Sequence, residues 1–436
     1  MRLLNTTLAA GVILAATLPV QAVTNEDVEK SFYPYKGGVP TYDGLNAGLV
    51  IDQSNVDKFK EVIDPAMFEF IRQGWTKVTV GETTSFDLHP NYVQATRDGL
   101  GQVKLGEKSG EIEGFIAGRP FPEEPSTDDP RAGEKLAWNY KYGYNWGDNA
   151  AIYPFYWKYK DMDSGKLERT IKFNFHFLNY MHRVNQEPLP AISPNPSKLF
   201  RAIYVQALEP FDVKDTQLLI HRYENDLKRD NAWLYLGFQR RVRRLASGQV
   251  TDAFLGSDVM IEDFEGYNGR INDMEWTFKG AKNILVPFYN HNELKLSEEH
   301  KESDGYQFVE MGDKGNCFPQ ITWQLRKVYE LENKPKDPNH PISKRVHYID
   351  AQTFTIPRTL TYDRKGDLWK SWQIGQAHPD HHLPKNKSTG VAIDDSFTMI
   401  DVQAMHCTTG QFKGQVDPAL NPANKFTVQN LRASGR

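Results

Sequence analysis

From Thr170 the chain alternates with a period of two: Ile171, Phe173, Phe175 and Phe177 are apolar, while Thr170, Lys172, Asn174 and His176 are polar. Successive side chains of a strand point to opposite faces, so this stretch is predicted to be a strand with one greasy and one polar side. Stretches rich in aromatic and β-branched residues predict further strands at 200–208, 217–223, 232–245, 275–278, 322–331, 345–349, 353–362 and 367–374. The turn formers Asp350-Ala351-Gln352 and Asp363-Arg364-Lys365-Gly366 separate the last three. Short turns between consecutive strands imply an antiparallel meander.

Upstream the spacing becomes helical. Ser54-Asn55-Val56-Asp57 resembles a capping box, followed by Phe59, Val62 and Ile63. Asp64-Pro65 opens a helix whose stripe is Met67, Phe68 and Ile71 and whose stop is Gly74, and Asp129-Pro130 opens another through Leu136, Ala137 and Trp138. The pattern therefore predicts an α+β fold, a large curved antiparallel sheet or unclosed barrel covered by helices. Residues 23–160 form a helical and loop-rich N-terminal part, 165–375 the main sheet and 376–436 a C-terminal extension of one domain. If the helices fill the sheet's apolar face incompletely, a greasy cavity results, with Phe173, Phe175, Phe177, Leu234, Leu236 and Phe238 as its lining.

The ends change the picture of where such a protein works. Arg2, the apolar run Leu8–Leu18 and the small-residue site Val20-Gln21-Ala22 read as a secretory signal cleaved after Ala22, so residues 1–22 are expected to be removed. No cysteine stands near the cleavage point, so no lipid anchor is expected there, and the mature chain is expected to be periplasmic. An oxidising compartment allows Cys317 and Cys407 to pair; two buried free thiols are the alternative. The balance of 52 Lys+Arg against 56 Asp+Glu gives −4, or −5 without Arg2, which offers no footprint for nucleic acid.

Candidate chemistry is sparse. Within a continuous strand over 232–245, Arg240 and Arg244 would share a face with Leu234, Leu236 and Phe238. They would then either grip the anionic head of an amphipathic ligand or pair with Asp258, Glu262, Asp263 and Glu265 downstream. The tract His378-Pro379-Asp380-His381-His382 has zinc-type residues, but adjacent histidines rarely aim at one metal, and His291 with His300 is weaker still. No metal and no cofactor is expected. Adjacent acids such as Asp394-Asp395 point to opposite faces of a strand, and neither a nucleophile elbow nor a phosphate loop is present, so no catalytic residue is assigned. The aromatic run from Tyr140 to Tyr159 reads as core packing.

Several motifs carry a resemblance. Gly114-Phe115-Ile116-Ala117-Gly118-Arg119-Pro120-Phe121-Pro122 and Asp129-Pro130-Arg131-Ala132-Gly133-Glu134-Lys135-Leu136-Ala137-Trp138-Asn139 resemble the opening signature of domain-of-unknown-function family 1329, secreted proteins of Gram-negative bacteria. Trp233-Leu234-Tyr235 leading into Arg240–Leu245, then Phe254–Asp258, Glu262-Asp263-Phe264, Arg345–Asp350 and Tyr362–Gly366, are similar to that family and to the periplasmic lipoprotein carrier LolA and receptor LolB. The likeness runs from about Gln53 to Trp372, and Tyr33–Gly38 departs from it. It implies an unclosed barrel with a hydrophobic hollow. It also implies work beside an inner-membrane exporter of the resistance-nodulation-division type and an outer-membrane β-barrel. The expectation is a periplasmic carrier of a lipid-like ligand; a ligand-free envelope assembly protein and a periplasmic hydrolase are the alternatives.

Overall fold

The computed structural model describes residues 23–246 and 250–434. The expected signal peptide, residues 1–22, lies outside the described residues. The fold is a 16-stranded sheet with short helices around it. The long strands are β1 (Asn149–Asp161), β2 (Leu167–Asn179), β3 (Leu199–Glu209), β4 (Gln217–Tyr223), β5 (Asn231–Leu236) and β6 (Arg241–Arg244). A second series follows: β7 (Met274–Val286), β8 (Thr322–Pro335), β9 (Ile342–Asp350), β10 (Arg358–Asp363), β11 (Leu368–Ala377), β12 (Ile393–Asp401) and β13 (His406–Gln415). Each series is an antiparallel meander, and the two join where β13 pairs with β1. Two short strands, Val78–Val80 on β8 and Phe288–Tyr289 on β11, pair in parallel.

This topology moves the boundaries expected from the pattern. The first long strand begins at Asn149, inside the aromatic run, and β12 and β13, central strands of the sheet, fall within residues 376–436. Those strands escape a pattern reading because both their faces are covered and both carry partnered polar side chains, so no alternation survives. The polar side of β2 is likewise buried at Asn174 and His176: His176 lies under the C-terminal segment, its Nδ1 2.6 Å from Asn421 Oδ1. Cys317 and Cys407 are joined by a disulfide across a separation of 90 residues, tying the approach to β8 to the start of β13. In the chain-entropy model closing such a loop contributes on the order of 4 kcal/mol.

The helices obey local rules. Asp64 caps α1 (Pro65–Arg72), its Oδ1 accepting from the Ala66 and Met67 amides at 3.1 and 3.0 Å, with proline in the first turn. The same carboxylate receives Arg358 of β10, Nε to Oδ2 at 2.9 Å, with both residues buried. One side chain thus starts a helix and fastens it to the sheet. The segment Val56–Val62 winds as 3-10 turns instead of an α-helix, since Asn55 makes no side-chain cap there. Among the described residues no helix is long and apolar enough to cross a membrane.

Candidate functional site

The side of the sheet that carries Phe173, Phe175 and Phe177 forms one aromatic field. Pairing aligns Ile171, Trp157, Gly410, Phe397 and Ile374 in a row across β2, β1, β13, β12 and β11. Gly410 is what lets the rings crowd together: a Cβ there would lie 2.1 Å from the Phe397 ring. Trp157 and Trp372 flank that ring with centroids at 5.4 and 4.9 Å, and Phe155 stacks on Phe173 at 4.9 Å.

A plug closes this field. Phe254, Val259, Ile261 and Phe264, from an irregular segment of 3-10 turns between β6 and β7, pack onto the aromatic rows. Phe264 sits 5.5 Å from Phe175 and 5.6 Å from Phe254, centroid to centroid. The plug is fastened by charge. Asp258 accepts from His406 Nδ1 at 2.8 Å and from Thr408 at 2.7 Å. Glu262 and Asp263 receive the fully buried Arg345 at 2.8 and 3.0 Å. The Asp258 hydrogen bond lifts His406 to about 9. Burial alone would raise Glu262, but Arg345 and His340 hold it at about 2.

These partners correct the arginine reading. The expected strand over 232–245 is a hairpin, because Gly237-Phe238-Gln239 turns and Arg240 takes left-handed backbone at φ 51°. Register then places Arg241 and Arg243 opposite Leu236 and Leu234, while Arg240 sits at the tip. Phe238 is 75% exposed, so it lines nothing; Leu234 packs partly against the aromatic field and Leu236 is half-buried. Asp258 and Asp263 serve His406 and Arg345, Glu265 serves Arg201 at 3.2 Å, and Arg244 hydrogen-bonds Asn231 instead. Gly237 inside an apolar run was the signal for the turn.

Between plug and sheet a cavity of about 40 Å³ remains, lined by Trp146, Ile152, Trp157, Trp372, Phe412 and others. That is room for a few waters and far too little for an acyl chain. Two carboxyl groups border it, Asp394 of β12 and Glu265 of the plug. Asp394 faces inward because a bulge between Gly375 and Gln376 breaks the register opposite it. Its Oδ1 accepts from Gln376 at 3.1 Å, and burial pushes it up to about 7. The indole N–H groups of Trp157 and Trp372 are buried with no hydrogen-bond partner, a state that costs about 1–3 kcal/mol per group.

One residue on, Asp395 faces the opposite side. His291 Nδ1 donates to its Oδ2 at 2.8 Å, and His382 Nε2 and the Tyr306 hydroxyl lie 3.0 and 2.9 Å from Oδ1. Two imidazoles and a carboxylate are metal-type donors, yet the proton positions argue against a metal. Asn386 Oδ1 accepts from the Val416 amide at 3.0 Å and its Nδ2 donates to the Gly414 carbonyl at 2.9 Å. That orientation leaves an Nδ2 hydrogen facing His382 Nδ1 at 2.9 Å. Nδ1 is therefore an acceptor, and the ring proton sits on Nε2, the atom a metal would need bare. Burial alone would lower His291, but Asp395 raises it; burial would raise Asp395, but the histidines hold it well below the carboxylate range. The cluster is a buried hydrogen-bonded ion pair. The His378 tract divides: His378 caps its own turn while His382 turns inward, and His300 stacks on Tyr156 with centroids 4.0 Å apart.

Comparison with known proteins places this architecture. The model of the family described as a protein of unknown function, DUF1329, matches residues 50–432. An uncharacterized protein of Pseudomonas aeruginosa is 26% identical over 385 residues, 80% of this chain and 77% of its own length. Among solved structures, a DUF1329 protein of Desulfovibrio piger is similar at a TM-score of 0.47 and 17% identity, over 69% of this chain and 98% of its own. A LolA superfamily protein of Nitrosomonas europaea is similar at a TM-score of 0.37 and 12% identity, over 65% and 91%. With its family model covering nearly all of the described sheet, the chain belongs to the DUF1329 family.

Proposed function

We propose that this chain is a periplasmic binding or carrier protein for a lipid-like molecule, held noncovalently against the aromatic field once the plug swings aside. It would work between an inner-membrane exporter of the resistance-nodulation-division type and an outer-membrane β-barrel. No bond is made or broken. The observation that carries this reading is the plug itself: a broad aromatic face is closed by a single irregular segment, with Phe254 and Phe264 as its only inserted rings. A ligand tail would take the place of those rings on the sheet, and its burial at about 25 cal/mol per Å² has to offset the exposure of Phe254 and Phe264 and the loosening of the Asp258–His406 and Arg345 pairs. Affinity then rests on the difference between tail and plug.

One observation favours a second reading, a ligand-free envelope assembly protein: the cavity of about 40 Å³ leaves the sheet nearly filled by its own chain. Organic extraction of detergent-free protein from the cell envelope, followed by mass spectrometry, separates the two. The carrier reading expects the same lipid in repeated preparations and more of it in the Phe264→Ala variant. Absence of lipid from both proteins supports assembly.

A further inference from the structure

We propose that the floor of the hollow recognises a neutral carbonyl, of an ester or amide, on the ligand, through the indole N–H groups of Trp157 and Trp372 and the Asp394 carboxyl. The inference rests on the carrier reading and narrows its ligand from any oily molecule to an acylated one.

Three observations converge. Trp157 and Trp372 both line the same small cavity, both are almost wholly buried, and both indole nitrogens lack a partner among the described residues. The rings flank Phe397 from either side, which keeps the two donors within one ligand's span. A sheet built only to be filled by Phe254 and Phe264 would do as well with phenylalanine at either position, since an unpaired indole N–H adds only a desolvation penalty. Asp394 adds a third polar group, brought to this face by the register break beside Gln376. Burial raises it to about 7, so below that pH it is a donor as well, as carboxyl groups in apolar sites can be.

Three donors call for an acceptor. A hydrocarbon would leave all three unpaired, and a free carboxylate would carry an uncompensated charge out of water into a largely apolar cavity. An ester or amide carbonyl offers lone pairs without charge. In the filled state nothing satisfies the indoles, and in the loaded state the carbonyl would, so the floor favours loading by acylated molecules over plain oils.

The test uses the full mature chain and three probes with one tail: hexadecane, methyl palmitate and palmitate. Binding is followed by native mass spectrometry and by tryptophan fluorescence. The expected result is methyl palmitate bound roughly tenfold tighter than hexadecane, about what one or two good hydrogen bonds supply. That preference should fall about fivefold in Trp372→Phe and in Trp157→Phe, which keep the ring and remove the donor. Circular dichroism shows whether both variants are folded, and the preference is read in each as the ratio of the methyl palmitate and hexadecane affinities. Equal binding of all three probes, or an undiminished preference in both variants, overturns the polar floor and leaves the carrier reading standing. Palmitate bound tighter than methyl palmitate overturns the neutral-carbonyl assignment. Failure of every probe to bind overturns the carrier reading and the floor together.

Discussion

On the hollow side of β12, Asp394 meets aromatic rings and one amide; on the other side Asp395, its neighbour, meets two imidazoles and a phenol. Both carboxyls are fully enclosed, yet burial wins for the first and is overruled for the second, so one is raised to about 7 and the other is depressed. Burial therefore does not say what a carboxyl is for. What differs is whether the chain supplies partners. Around Asp395 the carboxylate, both imidazoles and the Tyr306 hydroxyl are hydrogen-bonded to protein partners; around the hollow two indole donors are not. Two unpaired donors bordering one cavity are what the proposed carbonyl would answer.

Removing each carboxyl in turn is the strongest way to break the comparison. Asp395→Ala leaves the His291 charge buried without its counterion and should cost about 3–5 kcal/mol of unfolding free energy, read from urea denaturation at neutral pH. Asp394→Asn removes no ion pair and should not lower stability at the same pH, since the neutral amide is spared the cost of keeping a buried carboxyl protonated. Equal losses would mean that the two sides of the sheet serve one structural purpose.

The sign of the pH response sharpens it. Asp394 titrates near 7 in the folded chain against 3.8 when exposed, so between those values the folded state holds more protons than the unfolded state. Stability should then fall as pH rises from about 4 to 7, by a few kcal/mol at most, and Asp394→Asn should flatten that slope. Asp395 runs the other way: its depressed value makes its contribution present above the ordinary carboxylate range and lost in acid. Paired urea titrations of wild type and Asp394→Asn from pH 4.5 to 7.5 check this; superimposable curves would remove Asp394 from the hollow's chemistry.

How far these two regions could be read from sequence follows the same division. Phe173, Phe175 and Phe177 announce themselves because alternation within one strand is a local signal, and β4 coincides with the stretch 217–223 expected from its residue types. Trp157, Trp372 and Asp394 come together only through pairing of distant strands, and the register break that turns Asp394 inward has no counterpart in any pattern. β13, with Thr408, Thr409, Gly410, Gln411 and Gly414, reads as a polar loop. Its glycines are packing positions: Gly414 would place a Cβ 2.5 Å from Ile393. His291 and His382 were read as loop residues because nothing local shows what their loops lie upon, and Tyr306, which joins them, carries no sequence signal of its own.

The smallest expected effect concerns the arginines that stood out most in the sequence. Arg240 occupies an exposed hairpin tip, and the acids once available to it are taken by His406, Arg345 and Arg201. A solvated guanidinium gains little from any surface partner, and the left-handed backbone at this position persists in Arg240→Met. The substitution should shift stability by less than about 0.5 kcal/mol and leave binding of methyl palmitate unchanged, measured beside the tryptophan variants. A loss of binding would return recognition of the ligand's head to the tip of the hairpin. It would also mean that the hydrogen-bond shortfall at the floor is not what selects the cargo.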